Sequence, residues 1–133
     1  MAINRVYKRG IETVYRGTKY RSRWEVYVAK LLLYSDTPFV YEPQRFFLSS
    51  KLSYLPDFYL PSKGVYLEVK GTLSYKDKIV LSAFSKMHRL RYVGKDQIEE
   101  FYGDKVSKLF SQDVVRYTPT NAEVRRFIKF LDN

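Results

Sequence analysis

The residues of this sequence best suited to do chemistry are Asp57, Glu68 and Lys70. Glu68 and Lys70 stand two apart in an alternating run, so a strand puts them on one face about 6–7 Å apart. If the segments at 54–60 and 65–70 are neighbouring strands, Asp57 meets Glu68 across the ladder. Two carboxylates so placed hold a hard divalent cation, with water and a substrate phosphate filling the remaining oxygen positions. A cation there lowers the pKa of bound water and neutralises charge gathering on a phosphate under attack. Lys70 stands beside that position to steady the attacking hydroxide or add charge to the transition state. The backbone carbonyl of Val69 is a further oxygen ligand, and Glu25, from a helix, completes a second and weaker metal position or orients the water. An acid followed two residues later by lysine is also common on solvated sheet faces. What lifts Glu68 and Lys70 above that pattern is Asp57 directly after Pro56, Gly71 closing the strand, and the charge of the whole chain.

The elements that must position these residues are readable from periodicity. Between Ser22 and Ser35 the apolar Trp24, Tyr27, Val28, Leu31 and Leu32 recur at helical spacing, with Ser22 as N-cap and Glu25 on the flank of the stripe. Phe39–Leu48 reads as a strand kinked at Pro43, Ser49–Ser53 as a polar turn, and Tyr54–Leu60 as a strand interrupted at Pro56. Pro61–Gly64 is a turn by composition. In Val65–Lys70, Val65, Leu67 and Val69 face one way while Tyr66, Glu68 and Lys70 face the other. A helix over Tyr75–Met87, a strand over Leu90–Val93, a helical stretch broken near Gly103, an edge strand at Val114–Tyr117 and a helix capped by Thr120 or Asn121 complete the order. Residues 1–20 read as a basic arm with one short helix. The pattern predicts an α/β domain spanning 1–133, a central mixed β-sheet flanked by helices.

The formal charge is +10, from 24 Lys and Arg against 14 Asp and Glu. Folding gains nothing from such an imbalance, and a polyanionic partner offsets its cost through phosphate contacts and counterion release. Charge alone leaves DNA, RNA and an anionic membrane surface open. Cysteine is absent and there is one histidine, which excludes disulfides and thiolate sites and disfavours structural zinc. No apolar run is long enough for a membrane span and no signal-peptide core is visible, so an intracellular, cytoplasmic protein with no membrane partner is expected.

Pro56-Asp57-Phe58 followed by Glu68-Val69-Lys70-Gly71 resembles the signature of the PD-(D/E)XK nucleases, the restriction-endonuclease-like superfamily. Arg21-Ser22-Arg23-Trp24-Glu25 is similar to the helix carrying that family's first acidic residue. Phe39–Pro43 resembles its first core strand and Tyr54–Leu60 its second, so the resemblance covers roughly residues 20–93. The branch most similar is the phage endonuclease I type of Holliday junction resolvase, which shares the tyrosine before the proline and the closing Glu-Val-Lys-Gly. Transposase and very-short-patch-repair-like nucleases share much of the pattern. The resemblance implies a restriction-endonuclease-like core and a Mg²⁺-dependent endodeoxyribonuclease, with Mn²⁺ as substitute. It further implies that Asp57 and Glu68 are metal ligands, Lys70 the catalytic lysine and Glu25 the assisting helix carboxylate. The N-terminal arm and the region after residue 94 lie outside it.

Arg21 and Arg23, at the start of the first helix, either grip phosphates or are a solvated helix terminus. Lys76 and Lys78 after Gly71 raise the same choice, and Lys51 and Lys63 lie in turns where DNA contact and plain solubility are both open. His88 is a general base or, more simply, a helix-terminal structural group. Tyr7, Tyr15 and Tyr20 either stack on bases or anchor the arm. Cutting two strands favours two copies, so a homodimer on DNA, with branched or junction DNA as one candidate substrate, is the expected assembly. A homing, mobile-element or repair nuclease, and a binding module of the same fold without chemistry, are the competing readings.

Overall fold

A computed structural model describes residues 11–133; Arg5, Tyr7, Lys8 and Arg9 of the expected basic arm lie outside them. The chain divides into two compact units, one formed by residues up to Ser35 together with Ile98–Asn133, the other by Asp36–Gln97.

In the first unit, Thr13–Tyr15 (β1) and Thr18–Tyr20 (β2) form an antiparallel hairpin. The expected short helix is not found at these positions. Arg16 and Gly17 both take positive φ, 51° and 80°, as a two-residue hairpin turn of the type that follows strand twist requires. Helix α1, Arg23–Tyr34, starts where Ser22 predicts, with the Ser22 hydroxyl accepting from the Glu25 N–H at 3.1 Å. The stripe expected on one face is wider in fact: Glu25 through Leu32 are all buried, because the β1–β2 hairpin and the last helix both pack on α1. That last helix, α5 (Asn121–Asp132), opens on a reciprocal capping box between Thr120 and Glu123. Glu123 is buried and accepts from the Tyr27 hydroxyl at 2.5 Å and the Tyr117 hydroxyl at 2.6 Å. Helices α3 (Lys95–Tyr102) and α4 (Val106–Leu109) are separated at Gly103 as the sequence predicts. Val114–Tyr117 is not a strand. Arg116 and Tyr117 N–H close a turn on the Asp113 carbonyl, and the buried Lys30 Nζ takes the carbonyls of Val115 and Tyr117 at 2.5 and 2.7 Å.

The second unit holds a mixed four-stranded sheet, the α/β architecture expected. Its strands are β3 (Val40–Tyr41), β6 (Phe58–Leu60), β7 (Val65–Val69) and β8 (Leu90–Val93), in that spatial order. β6 runs antiparallel to both of its neighbours, β3 and β7; β8 is parallel to β7, and helix α2 (Tyr75–Ser85) makes the crossover. Two longer strands expected from composition are each divided. Pro43 and Pro56 have no N–H to give a ladder, so Phe46–Phe47 (β4) and Ser53–Tyr54 (β5) leave the main sheet and pair with each other. The inner face of that ribbon joins α2 around Tyr54, Val80 and Phe84, with Phe46, Tyr66 and Leu90 against them. His88 stacks on Phe84 with ring centroids 4.6 Å apart and meets Phe46 and Tyr66 edge-on or tilted, which favours its structural reading. Among the described residues no helix is long and apolar enough to cross a membrane.

Candidate active site

The strand β7 alternates buried and half-buried, so Val65, Leu67 and Val69 enter one core face while Tyr66 and Glu68 lie half-buried on the other, toward Phe84 and Tyr54, with Lys70 exposed just beyond its end. Phe58 pairs with Leu67. Continuing that antiparallel register sets Asp57 opposite Glu68 and Pro56 opposite Val69. The expectation that the segments at 54–60 and 65–70 are neighbours is met for Phe58–Leu60 and Val65–Val69, with Asp57 just ahead of β6.

Val69 is the pivot of the arrangement. The Lys70 N–H bonds the Val93 carbonyl on the β8 side at 3.1 Å, so alternation turns the peptide groups of Val69 toward β6. There a regular ladder would continue, but Pro56 offers no N–H to the Val69 carbonyl. The Val69 N–H is taken by the Asp57 side chain, Oδ2 accepting at 2.7 Å. Asp57 is thereby fixed with its carboxylate at the end of the ladder, 9% exposed. Glu68 is fixed by a different element. The Tyr54 hydroxyl of β5 donates to Glu68 Oε1 at 2.5 Å. Burial pushes the Tyr54 hydroxyl far above the usual tyrosine range and the Glu68 charge adds to it, so this proton stays on Tyr54 and the bond is always donated to the carboxylate.

Lys70 leaves the sheet half exposed and pairs with Asp77 Oδ2 at 2.8 Å. Asp77 is the third helical residue of α2 and closes a reciprocal capping box with Ser74. Its partial burial favours the neutral acid, but the hydrogen bonds from Lys70 and Ser74 and the Lys70 charge outweigh that and hold its carboxyl below the usual 3.8. The Tyr92 hydroxyl donates to the Lys70 carbonyl at 2.5 Å. Gly94 leaves room for this ring, since a Cβ there would lie 2.6 Å from it. Tyr54, Asp77 and Tyr92 were not singled out as site residues by the sequence. Only the Ser74-x-x-Asp77 spacing, a capping-box pattern, could have marked one of them.

Glu25 belongs to the other unit. It is buried, and its Oε1 accepts from the Arg21 N–H at 3.0 Å, the local task of an acidic residue in a first helical turn. Arg23 lies over the Phe110 ring at 5.5 Å, with Nη1 on the Phe110 carbonyl at 3.5 Å. Arg21, Lys51, Lys76 and Lys78 are exposed and Lys63 is half-buried in its turn. Tyr15 packs under Lys30 at 4.7 Å, and Tyr20 is buried, so both serve the fold; Tyr7 lies outside the described residues.

Among the described residues no group of three or more His, Cys, Asp or Glu is placed to hold a metal ion. The residues that would hold an ion at the end of β7, Asp57, Glu68 and the Val69 carbonyl, offer oxygen donors alone. That composition fits Mg²⁺ or Mn²⁺, which are commonly held by one or two carboxylates with water and substrate phosphate completing the shell. The Val69 N–H on Asp57 and the Tyr54 hydroxyl on Glu68 are the outer hydrogen bonds that orient such ligands.

No protein-family model matches the chain, and no match is found among curated proteins. The chain is similar to a solved structure of the 5-hydroxymethylcytosine-specific restriction enzyme AbaSI, at 18% identity and a TM-score of 0.45, over 87% of this chain. It spans 42% of that chain's length.

Proposed function

We propose that the protein is a metal-dependent endonuclease of the PD-(D/E)XK type that hydrolyses DNA phosphodiester bonds. The observation that supports this reading is the end of β7, where the Val69 N–H, next to Glu68 in the chain, donates to the Asp57 carboxylate at 2.7 Å. A proline opposite Val69 keeps its carbonyl out of the ladder. Asp57, Glu68 and the Val69 carbonyl would hold Mg²⁺, with Mn²⁺ as substitute.

When bound, the ion supplies an acidified water and charge neutralisation at the phosphate. The chain does the rest. Asp57 and Glu68 keep two oxygen donors in fixed orientation through Val69 N–H and Tyr54 hydroxyl. Lys70, on the same strand face as Glu68, brings a cation to the phosphate side, and Asp77 sets the reach of its ammonium. For Glu25 the family resemblance implies a second, weaker metal contact, whereas the contact its carboxylate makes within its own unit is to the Arg21 N–H. Arg21, Arg23, Lys51, Lys63, Lys76 and Lys78 contribute phosphate contacts along the backbone, in keeping with the net charge of +10. The chain works as one nuclease domain, as a homodimer for two-strand cutting, in the cytoplasm, with branched DNA such as a Holliday junction as its leading substrate. A homing, mobile-element or repair role is the alternative within the same chemistry.

The absence of a three-carboxylate cluster among the described residues and the pairing of Lys70 with Asp77 favour one rival, a nucleic-acid-binding module without chemistry. Labelled duplex, nicked, single-stranded and four-way-junction DNA, incubated with Mg²⁺, Mn²⁺ or EDTA, separates the two. Metal-dependent cutting by the wild type and none by Asp57→Asn, with equal DNA binding, supports the nuclease. Binding without cutting of any substrate in either metal supports the module.

A further inference from the structure

Helix α2 carries a feature that neither its packing nor the proposed metal site uses. Its core contacts come from Val80 and Phe84. At about 100° per residue, Tyr75 is about 180° from Phe84 around the axis, and Ile79 lies about 40° from Tyr75 on the same side. Tyr75 is accordingly 81% exposed and Ile79 42%. As an i,i+4 pair on a solvated helix face the two contribute only about 0.2–0.5 kcal/mol to the helix, little for so much apolar surface left in water. Lys76, Lys78 and Lys86 surround this pair, all exposed, and none makes an ion pair among the described residues.

The position is tied to the site. Tyr75 opens the helix whose third residue, Asp77, holds Lys70, so the Tyr75 backbone is fixed relative to that ammonium by two residues of helix. The ring points away from Lys70, across roughly one helix diameter of about 10 Å. Along a strand that is about three nucleotides at 3.4 Å each. A flat aromatic face rimmed with lysines, at this remove from a phosphate site, has the composition of a base-stacking platform flanked by backbone contacts. Bases in intact duplex are already stacked and give an aromatic ring nothing to cover.

We infer that Tyr75 stacks on an unpaired nucleobase, with Lys76 and Lys78 on the adjoining phosphates, and that the site prefers DNA bearing an unstacked base a few nucleotides from the bond addressed by Asp57 and Glu68. The inference rests on the nuclease reading for its second half only. The stacking contact itself can be measured without cutting.

The test uses the full chain in EDTA, with 2-aminopurine at the unpaired position of a gapped duplex and an intact duplex of the same sequence as control. Wild type and Tyr75→Phe are expected to quench the probe, and Tyr75→Ala is not. Tyr75→Ala should weaken binding to gapped DNA by about five- to hundredfold and to intact duplex by less than about twofold. Equal weakening on both DNAs, or unchanged quenching by Tyr75→Ala, overturns the inference. A loss of dimer on Tyr75→Ala with the preference intact also overturns it and assigns the face to a second copy of the chain. Cleavage by the wild type in Mg²⁺ is scored separately. Quenching with no cutting leaves the platform and removes the nuclease, whereas cutting with no preference does the reverse.

Discussion

Replacing Tyr54 by phenylalanine tests how the site is held. The ring is buried against Phe84, with centroids 4.9 Å apart, and the phenyl group of Tyr54→Phe keeps that packing. What is lost is one O–H···O bond of 2.5 Å to a carboxylate. Hydrogen bonds to charged groups contribute about 1.5–3 kcal/mol. Glu68 is only half-buried, so water recovers part of this, and about 1 kcal/mol of stability should be lost, lowering Tm by about 3–6 °C. The larger effect is on the metal. Without the Tyr54 hydroxyl one of the contacts that orient Glu68 is gone, and loss of such a partner costs about 10–100-fold in metal affinity, or about 1.4–2.8 kcal/mol. Because burial and the Glu68 charge keep the Tyr54 proton in place, the effect should be flat across neutral pH. Cleavage rate as a function of Mg²⁺ concentration, compared between wild type and Tyr54→Phe at pH 6.5, 7.5 and 8.5, is the assay. A variant that melts lower but reaches half-maximal rate at the same Mg²⁺ concentration as wild type would refute the positioning role and leave Tyr54 a packing residue.

Asp77 has its carboxyl held below 3.8 in the folded protein, so its stabilisation is complete above the ordinary carboxylate range and is lost as pH falls through the depressed value. Asp77→Asn should therefore cost about 0.5–1 kcal/mol at pH 7, a figure set by the exposure of the Lys70 pair, and less as the pH falls into the acid range; urea denaturation at pH 7 and pH 2.5 checks this, and a gap undiminished in acid contradicts it. In the other unit, Lys30→Met keeps the aliphatic stem but strips the donor from the Val115 and Tyr117 carbonyls. With about 1–3 kcal/mol per buried group left unsatisfied, a loss of about 2–4 kcal/mol is expected by urea denaturation, and a loss under 0.5 kcal/mol would show that the 113–117 turn holds without it.

What was legible in the sequence was local. The Ser22 cap, the alternation of Val65–Val69, the Gly94 stop and the Thr120 cap each depend on residues within a few positions of one another, and each element falls where its spacing predicts. The juxtaposition of Asp57 and Glu68 followed as well, because a short turn at Pro61–Gly64 leaves little choice but adjacent antiparallel strands. The failures have both distant and local causes. Val114–Tyr117 has the alternation of an edge strand, yet its carbonyls are claimed by Lys30, 85 residues earlier for Val115. The hairpin at 13–20 was hidden because Arg16-Gly17 lacks the Asn or Asp usual before glycine in such turns. Tyr54 was read as part of one strand with Asp57; Pro56 instead sends it into a separate ribbon, and only from there does its hydroxyl meet Glu68. Asp77 was not read from the sequence, because its hold on Lys70 needed the turn after Gly71 to be placed in space.

The central claim is that Asp57 and Glu68 hold one divalent cation beside the Val69 carbonyl. Titrating Mn²⁺ into wild type, Asp57→Asn and Glu68→Gln, with the free ion read by electron paramagnetic resonance and folding checked by circular dichroism, addresses it without a substrate. The account predicts one saturable Mn²⁺ in the wild type and an affinity at least about tenfold weaker in each folded variant. Equal Mn²⁺ binding by all three proteins would contradict it.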